Sequence, residues 1–216
     1  MLHQGGDKLS DNDLNTLQKI MTEGKKEFLE KGYKDASLRN IVKQAGVTTG
    51  AFYGYYPDKS TLFHALVSAA AEGLREYFIK THQGFTDLPV EQKISEMYSY
   101  TDKPLRYLLN YIYEHFDAFK LIVCCSDGTD YAHYIDSLVE VETIGTQKFI
   151  REAKQSGYHI NEIKPELLHI LSSSYFYGVF EVVIHDMPKE DADEYIADIT
   201  AFHRAGWDKI FGYIRK

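Results

Sequence analysis

The chain has 216 residues, 44% of them apolar, which is enough to bury a core and excludes a disordered chain. A formal net charge of −8 excludes a protein that coats nucleic acid over its whole surface, but not one with a small basic face. The charge is uneven: residues 1–60 hold nine Lys/Arg against eight Asp/Glu, and the remainder holds fifteen against twenty-four. The first quarter therefore lacks the acidity of the rest, a weak sign of an N-terminal module for a polyanion. The only cysteines, Cys124 and Cys125, are adjacent and read as reduced core thiols, which fits a cytoplasmic protein. The polar start "MLHQGGDKLSDND" lacks the apolar stretch of a signal peptide, and no run is expected to span a membrane.

Nearly every segment reads as helix, and the fold class expected is all-α. Leu14, Leu17, Met21, Gly24 and Phe28 repeat at helical spacing, with Gly32 as the expected left-handed C-cap. Ser37 can cap a short second helix whose Leu38, Ile41, Val42 and Ala45 share a face. Gly46 stops that helix, Thr48 can cap a third running to about Tyr56, and Pro57 breaks the chain. Asp58 caps a long fourth helix through Leu62, Leu66, Ala69 and Leu74 to about His82. Beyond "FTDLP" the predicted helices are "VEQKISEMYSY", "KPLRYLLNYIYEHF" with Pro104 near its first turn, and "DAFKLIVCCS". A long helix then closes on Gly157, and two more cover about 165–185 and 190–214.

Two short helices joined by a glycine turn, 37–45 and 48–56, form the helix-turn-helix layout. Val47 and Phe52 close a small core with Leu38, Ile41 and Val42. Thr49, Gly50, Tyr53 and Gly54 then face away, a surface small and hydroxylated enough to approach a DNA groove. The same periodicity also fits an ordinary helical hairpin with tyrosines as core filler.

The segment "ASLRNIVKQAGVTTGAFYGYYPDKSTLF" resembles the DNA-binding signature of the tetracycline-repressor (TetR) family. The matching positions are Gly32-Tyr33, Ser37, Ile41-Val42, Ala45-Gly46-Val47-Thr48, Gly50-Ala51-Phe52-Tyr53, Tyr55-Tyr56 and Lys59, within about residues 14–66. The resemblance implies a helix-turn-helix DNA-binding domain over 10–57 and a ligand-binding and dimerisation domain over 58–216, linked by helix 58–82. It places Thr48, Thr49, Gly50 and Ala51 at the base-facing start of the recognition helix and Arg39 at a base-reading position on the second helix. It assigns Tyr53, Tyr55 and Lys59 to phosphates, gives Ser37 a cap that also touches a phosphate, and leaves Tyr56 to the core. Gly54 departs from the family, where a large or basic side chain is common. Either the site is exposed and permissive, or the missing side chain allows closer approach to the duplex.

Residues 75–216 hold no phosphate loop and no hydrolase or metalloprotease motif, so no enzyme, metal or cofactor is expected. Glu181 and His185 fit a helical pair better than a metal site. Helix 165–185, "LLHILSSSYFYGVFEVVI", is apolar nearly all round, with Ser172, Ser173, Ser174 and Gly178 permitting close helix approach. The last helix is similarly broad, and both satisfy themselves by pairing with a second copy in a four-helix bundle. The resemblance likewise implies a homodimer through these two helices, suited to a palindromic operator on double-stranded DNA. Between head and bundle lies a tyrosine-rich region, and the family's middle helices enclose a small-molecule inducer. Met97, Tyr98, Tyr111, His115, Glu142 and Tyr175 are the lining candidates. Glu142 either holds a cation beside aromatic walls or sits at the surface edge of its helix. The function expected is a ligand-responsive repressor. A nucleoid or division-associated factor using the same head without an inducer is the alternative.

Overall fold

In the computed structural model, residues 11–212 are described, apart from the side chains of Asp11, Asn12, Tyr98, Ser99, Thr101 and Asp102. Their secondary-structure elements are all helical: α1 (Asp11–Asp35), α2 (Leu38–Gln44), α3 (Thr49–Tyr55), α4 (Lys59–Thr86), α5 (Val90–Glu114), α6 (Phe116–Cys124), a 3₁₀ turn (Asp130–His133), α7 (Tyr134–Gln155), α8 (Pro165–Ile184) and α9 (Lys189–Phe211). Helices α1 to α3 make an N-terminal head, α5 to α9 make a helical body, and α4 packs against both α1 and the body helices α5, α6 and α7.

Local chemistry sets the head's boundaries. Gly32, at φ 71° and ψ 165°, breaks the helical backbone with positive φ where the first helix was expected to end, and one further turn follows across the kink. Ser37 and Thr48 cap α2 and α3, accepting the backbone N–H of Asn40 and Ala51 at 3.3 and 3.1 Å. Gly46, at φ +65°, occupies the left-handed position after α2. There the N–H of Val47 reaches the Val42 carbonyl and that of Gly46 the Lys43 carbonyl, a Schellman closure that only glycine enters without strain. Beneath the turn Phe28, Ile41, Val42, Phe52 and Tyr56 are buried. Gly24 lets α1 approach α4 so closely that a Cβ there would lie 2.7 Å from Leu62 Cδ2.

Two boundaries differ from expectation. The segments on either side of Pro104 form one 25-residue helix, α5, and α4 continues to Thr86 rather than stopping near His82. Proline deletes one backbone bond inside a helix, a cost of about 3 kcal/mol. Leu105, Leu108, Leu109 and Ile112, packed into the core, hold the helix across that gap. α8 is long and apolar enough to cross a membrane by length and composition, contrary to expectation. Its residues Leu168, Ser172, Phe176, Val179, Phe180, Val182 and Val183 are nevertheless core, packed against α6, α7 and α9. Gly178 provides the close approach expected of it, with Ile199 Cδ1 2.4 Å from where a Cβ would sit.

Candidate functional site

The exposed face of the head is the one expected from the helix-turn-helix pattern. Thr48, Thr49, Gly50, Tyr53 and Gly54 are exposed and Ala51 is half-buried, while Phe52 and Tyr56 are buried beneath them. Arg39 and Ser37 are exposed at the start of α2. No atom lies within 4 Å of a Cβ built at Gly54, so the space there is open. The position of Ser37 is itself fixed from α1: the buried carboxylate of Glu27 accepts the Ser37 backbone N–H at 2.9 Å and the Asn40 side-chain amide.

Two of the expected phosphate contacts have other work. Lys59, in the first turn of α4, donates to the carbonyls of Tyr33, Lys34 and Ala36 at 2.6, 3.2 and 3.0 Å. An ammonium has three N–H donors, so the set is complete, and Nζ also lies 4.6 Å from the centre of the Tyr33 ring. Lys59 therefore satisfies carbonyls orphaned where α1 ends, instead of reaching outward. Tyr55 is half-buried and donates its hydroxyl to Asp13 Oδ1 at 3.0 Å, tying α3 to α1.

The head is fastened to the body on one side. The Tyr33 N–H donates to the Cys125 carbonyl at 2.8 Å. Lys34 and Asp127 pair at 2.6 Å, and the Tyr131 hydroxyl and His64 Nδ1 meet at 2.7 Å. These contacts bring the end of α6 and the 3₁₀ turn onto α1 and α4.

A cavity of about 210 Å³ opens in the body, far from the recognition helix. Its walls come from α4 (Thr81, His82, Phe85, Thr86), α5 (Met97, Tyr100), α7 (Glu142, Gly145, Thr146, Phe149), α8 (Ser172, Tyr175, Phe176) and α9 (Thr200, His203, Arg204, Trp207, Phe211). Of the lining residues expected from sequence, Met97, Glu142 and Tyr175 are here. Tyr111 and His115 are not. The Tyr111 hydroxyl lies over Gly73 of α4 and reaches the Ala69 carbonyl at 3.4 Å. His115 packs tilted against Tyr111 at the α5–α6 break and faces an open groove beside α1. The side chain of Tyr98 lies outside the described residues.

Glu142 already has a partner on α4, His82. Its carboxylate lies 2.9 Å from His82 Nε2 and accepts the Thr146 hydroxyl at 3.0 Å, so each oxygen already has a partner within the protein. Burial disfavours the charged form of both partners, but their mutual hydrogen bond and charge outweigh it. His82 is raised above its ordinary value and Glu142 is lowered. The absence of a side chain at Gly145 admits the imidazole, whose Nδ1 would lie 3.1 Å from a Cβ there. His203 is pushed down by burial and stays neutral on the wall. His82, Ser172 and Trp207 escaped the sequence reading: a lone histidine carried no motif, Ser172 read as a packing residue, and Trp207 read as part of a dimer helix.

A further surface is left without cover. Leu167, Ile170, Tyr177 and Ile184 recur at three- and seven-residue steps along α8, so they share one face. Their exposures run from 37 to 60%, and Phe202 of α9 is 75% exposed. Glu181 and His185, by contrast, pair with each other at 2.9 Å on the surface.

An all-helical body carrying a capped, glycine-turned helix-turn-helix head defines a DNA-binding transcription regulator. Residues 20–66 match the family model described as "Bacterial regulatory proteins, tetR family", so the head is that of a TetR-type transcriptional regulator. No curated protein sequence matches it. Its fold is similar to several solved structures at low identity. A TetR-family transcriptional regulator from Pectobacterium atrosepticum is 18% identical, with 96% of this chain and 100% of that one covered, at a TM-score of 0.51. A transcriptional regulator (TerR/AcrR family) from Aquifex aeolicus VF5 is also 18% identical, covering 87% and 99%, at 0.52. A TetR-family transcriptional regulator from Thermus thermophilus is 14% identical, covering 86% and 97%, at 0.50.

Proposed function

We propose that this regulator is a ligand-responsive repressor that binds a palindromic operator as a cytoplasmic homodimer. The observation that carries the proposal is that one helix, α4, joins the two sites. Its first turn holds the end of α1 through Lys59, and its last turns supply Thr81, His82, Phe85 and Thr86 to the cavity wall. At 1.5 Å per residue, those ends are about 33 Å apart. A ligand that shifts the last turns of α4 therefore shifts the seat of the head. Such a ligand acts only by binding one arrangement more tightly than the other. The boundary between DNA-binding and ligand-binding parts falls at Pro57–Asp58, with α4 as the link.

The exposed stripe of α8 with Phe202 of α9 is the proposed dimer face, since four large apolar residues on one helix face gain most by meeting a copy of themselves. Two heads related by a two-fold axis read half-sites about one helical turn apart, or a multiple of it. At each head, Thr48, Thr49, Gly50 and Ala51 face the bases, and Arg39 reads a guanine from α2. Tyr53 and Ser37 reach phosphates, and Gly54 leaves room for the backbone.

Selection of bound duplexes from a random library by the full chain tests this reading. The expected result is a two-fold symmetric site, with Arg39→Ala relaxing the preference at one symmetric base pair and Tyr53→Phe weakening binding modestly. Binding without enrichment of any sequence points instead to a nucleoid-type factor and overturns the proposal.

A further inference from the structure

We infer that the cavity between α4, α5, α7, α8 and α9 takes a neutral, single-ring aromatic molecule carrying one hydrogen-bonding substituent, and that Ser172 recognises this substituent. The inference rests on the cavity being the ligand site of the proposed repressor.

Volume sets the size. A dry apolar cavity of about 150 Å³ holds benzene. The 210 Å³ here is enough for one ring with a short substituent. The walls set the ring. Phe85 lies 5.3 Å from Tyr100 and 6.3 Å from Phe149, in tilted pairs, and Trp207 stacks on Phe211 at 5.1 Å. Aromatic faces and edges arranged in this way favour another ring, which can lie offset on one and edge-on to the next.

Charge and hydrogen bonding set the substituent. A cation needs an open carboxylate, and Glu142 already holds His82 and Thr146. For an anion the wall offers little: the His82 charge is matched by Glu142, burial pushes His203 down, and Arg204 is engaged in a contact of its own. The Tyr175 and Thr200 hydroxyls satisfy each other at 3.1 Å. Among the described residues, two buried side-chain polar atoms have no partner, Thr143 Oγ1 and Ser172 Oγ. Ser172 is the one on the cavity wall, and the residue is only 2% exposed. A buried hydroxyl left open is costly, and one beside an apolar cavity is satisfied when a turn about χ1 brings it to a ligand with a single donor or acceptor. A hydroxyl can fill either role, so a phenol or a small aromatic ketone fits it.

Trp207 is the only tryptophan in the chain and lines the cavity, so its fluorescence reports occupancy directly. The probes are 4-ethylphenol, ethylbenzene, 4-ethylbenzoate, 4-ethylbenzylamine and 1-hexanol, titrated into the full chain and into Ser172→Ala. Because the substitution removes an unpartnered buried hydroxyl, the ligand-free variant should melt at or above the wild-type temperature. It should nevertheless bind 4-ethylphenol about three- to tenfold more weakly, with ethylbenzene unchanged. A purely packing role for Ser172 would not move the phenol and leave the hydrocarbon. Tighter binding of the benzoate, the amine or hexanol than of the phenol overturns the inference. So does no saturable quenching by any probe, or equal phenol affinity in both proteins. Release of a fluorescent operator duplex, followed in parallel, separates the two claims. Ser172-dependent phenol binding without release upholds the ligand class and refutes the inducer role of the cavity. Release by the benzoate alone does the reverse.

Discussion

Replacing Lys59 by methionine separates two roles that a DNA-binding motif cannot distinguish. In the structure its ammonium donates to three carbonyls at the end of α1, at 2.6, 3.0 and 3.2 Å. Hydrogen bonds from a charged donor net about 1.5–3 kcal/mol each when well shielded. Lys59 is half-buried, so water competes, and about 1 kcal/mol each is the fairer figure, or about 2–3 kcal/mol in all. For a chain of this size that lowers the melting midpoint by about 4–12 °C. A phosphate contact predicts something different. Each neutralised phosphate contributes about 0.9 to the slope of log affinity against log salt, so losing one per head would flatten a dimer's slope by about 1.8. The assay is operator affinity across a salt series, well below the melting transition, alongside thermal unfolding. We expect a lower midpoint and an unchanged slope. A flattened slope with an unchanged midpoint would refute the assignment.

Four further substitutions test other parts of the structure. Gly54→Ala meets open space in a helical backbone, so it should raise stability by about 0.5–1 kcal/mol; Gly46→Ala, at φ +65°, should lower it by at least about 1 kcal/mol, both read by thermal unfolding. The His82–Glu142 pair gives a pH signature. The raised His82 contributes fully below its ordinary value of 6.5 and fades as pH rises through its folded value, whereas the lowered Glu142 contributes above 4.5 and fades in acid. The stability gap between wild type and Glu142→Gln should therefore be widest between about pH 4.5 and 6.5 and shrink towards pH 8; a gap that widens in alkali would contradict the pairing. Phe202→Glu, placing a charge on the uncovered face of α9, should shift sedimentation from dimer to monomer without loss of helix content.

The head was legible because its determinants are local. Ser37, Thr48 and Asp58 cap helices by their own side chains, and Gly46 marks a turn that needs positive φ. Tyr53 is exposed as its helical spacing requires, and Tyr56 is buried as the family resemblance implies. The intramolecular partners of Lys59 and Tyr55 were not legible, because the end of α1 and Asp13 are 23 to 42 residues away. The cavity was hardest to foresee. Its walls come from five helices, and each contributes residues that a single-helix pattern assigns to packing. Glu142 was found at the edge of its stripe, but its partner His82 lies on α4, 60 residues earlier. Pro104 misled in the opposite direction, since a strong local signal for a break yields to core contacts on both sides of it, from Ile94 and Met97 before and Leu105 and Leu109 after.

The measurement that bears most directly on the account is a hydroxyl-radical footprint of the full chain on its selected duplex. The account predicts two protected regions related by a two-fold axis and centred about 10 base pairs apart, or a multiple of that. Both should be lost together in Phe202→Glu. A single protected region, unaffected by Phe202→Glu, would contradict a dimer reading a palindrome.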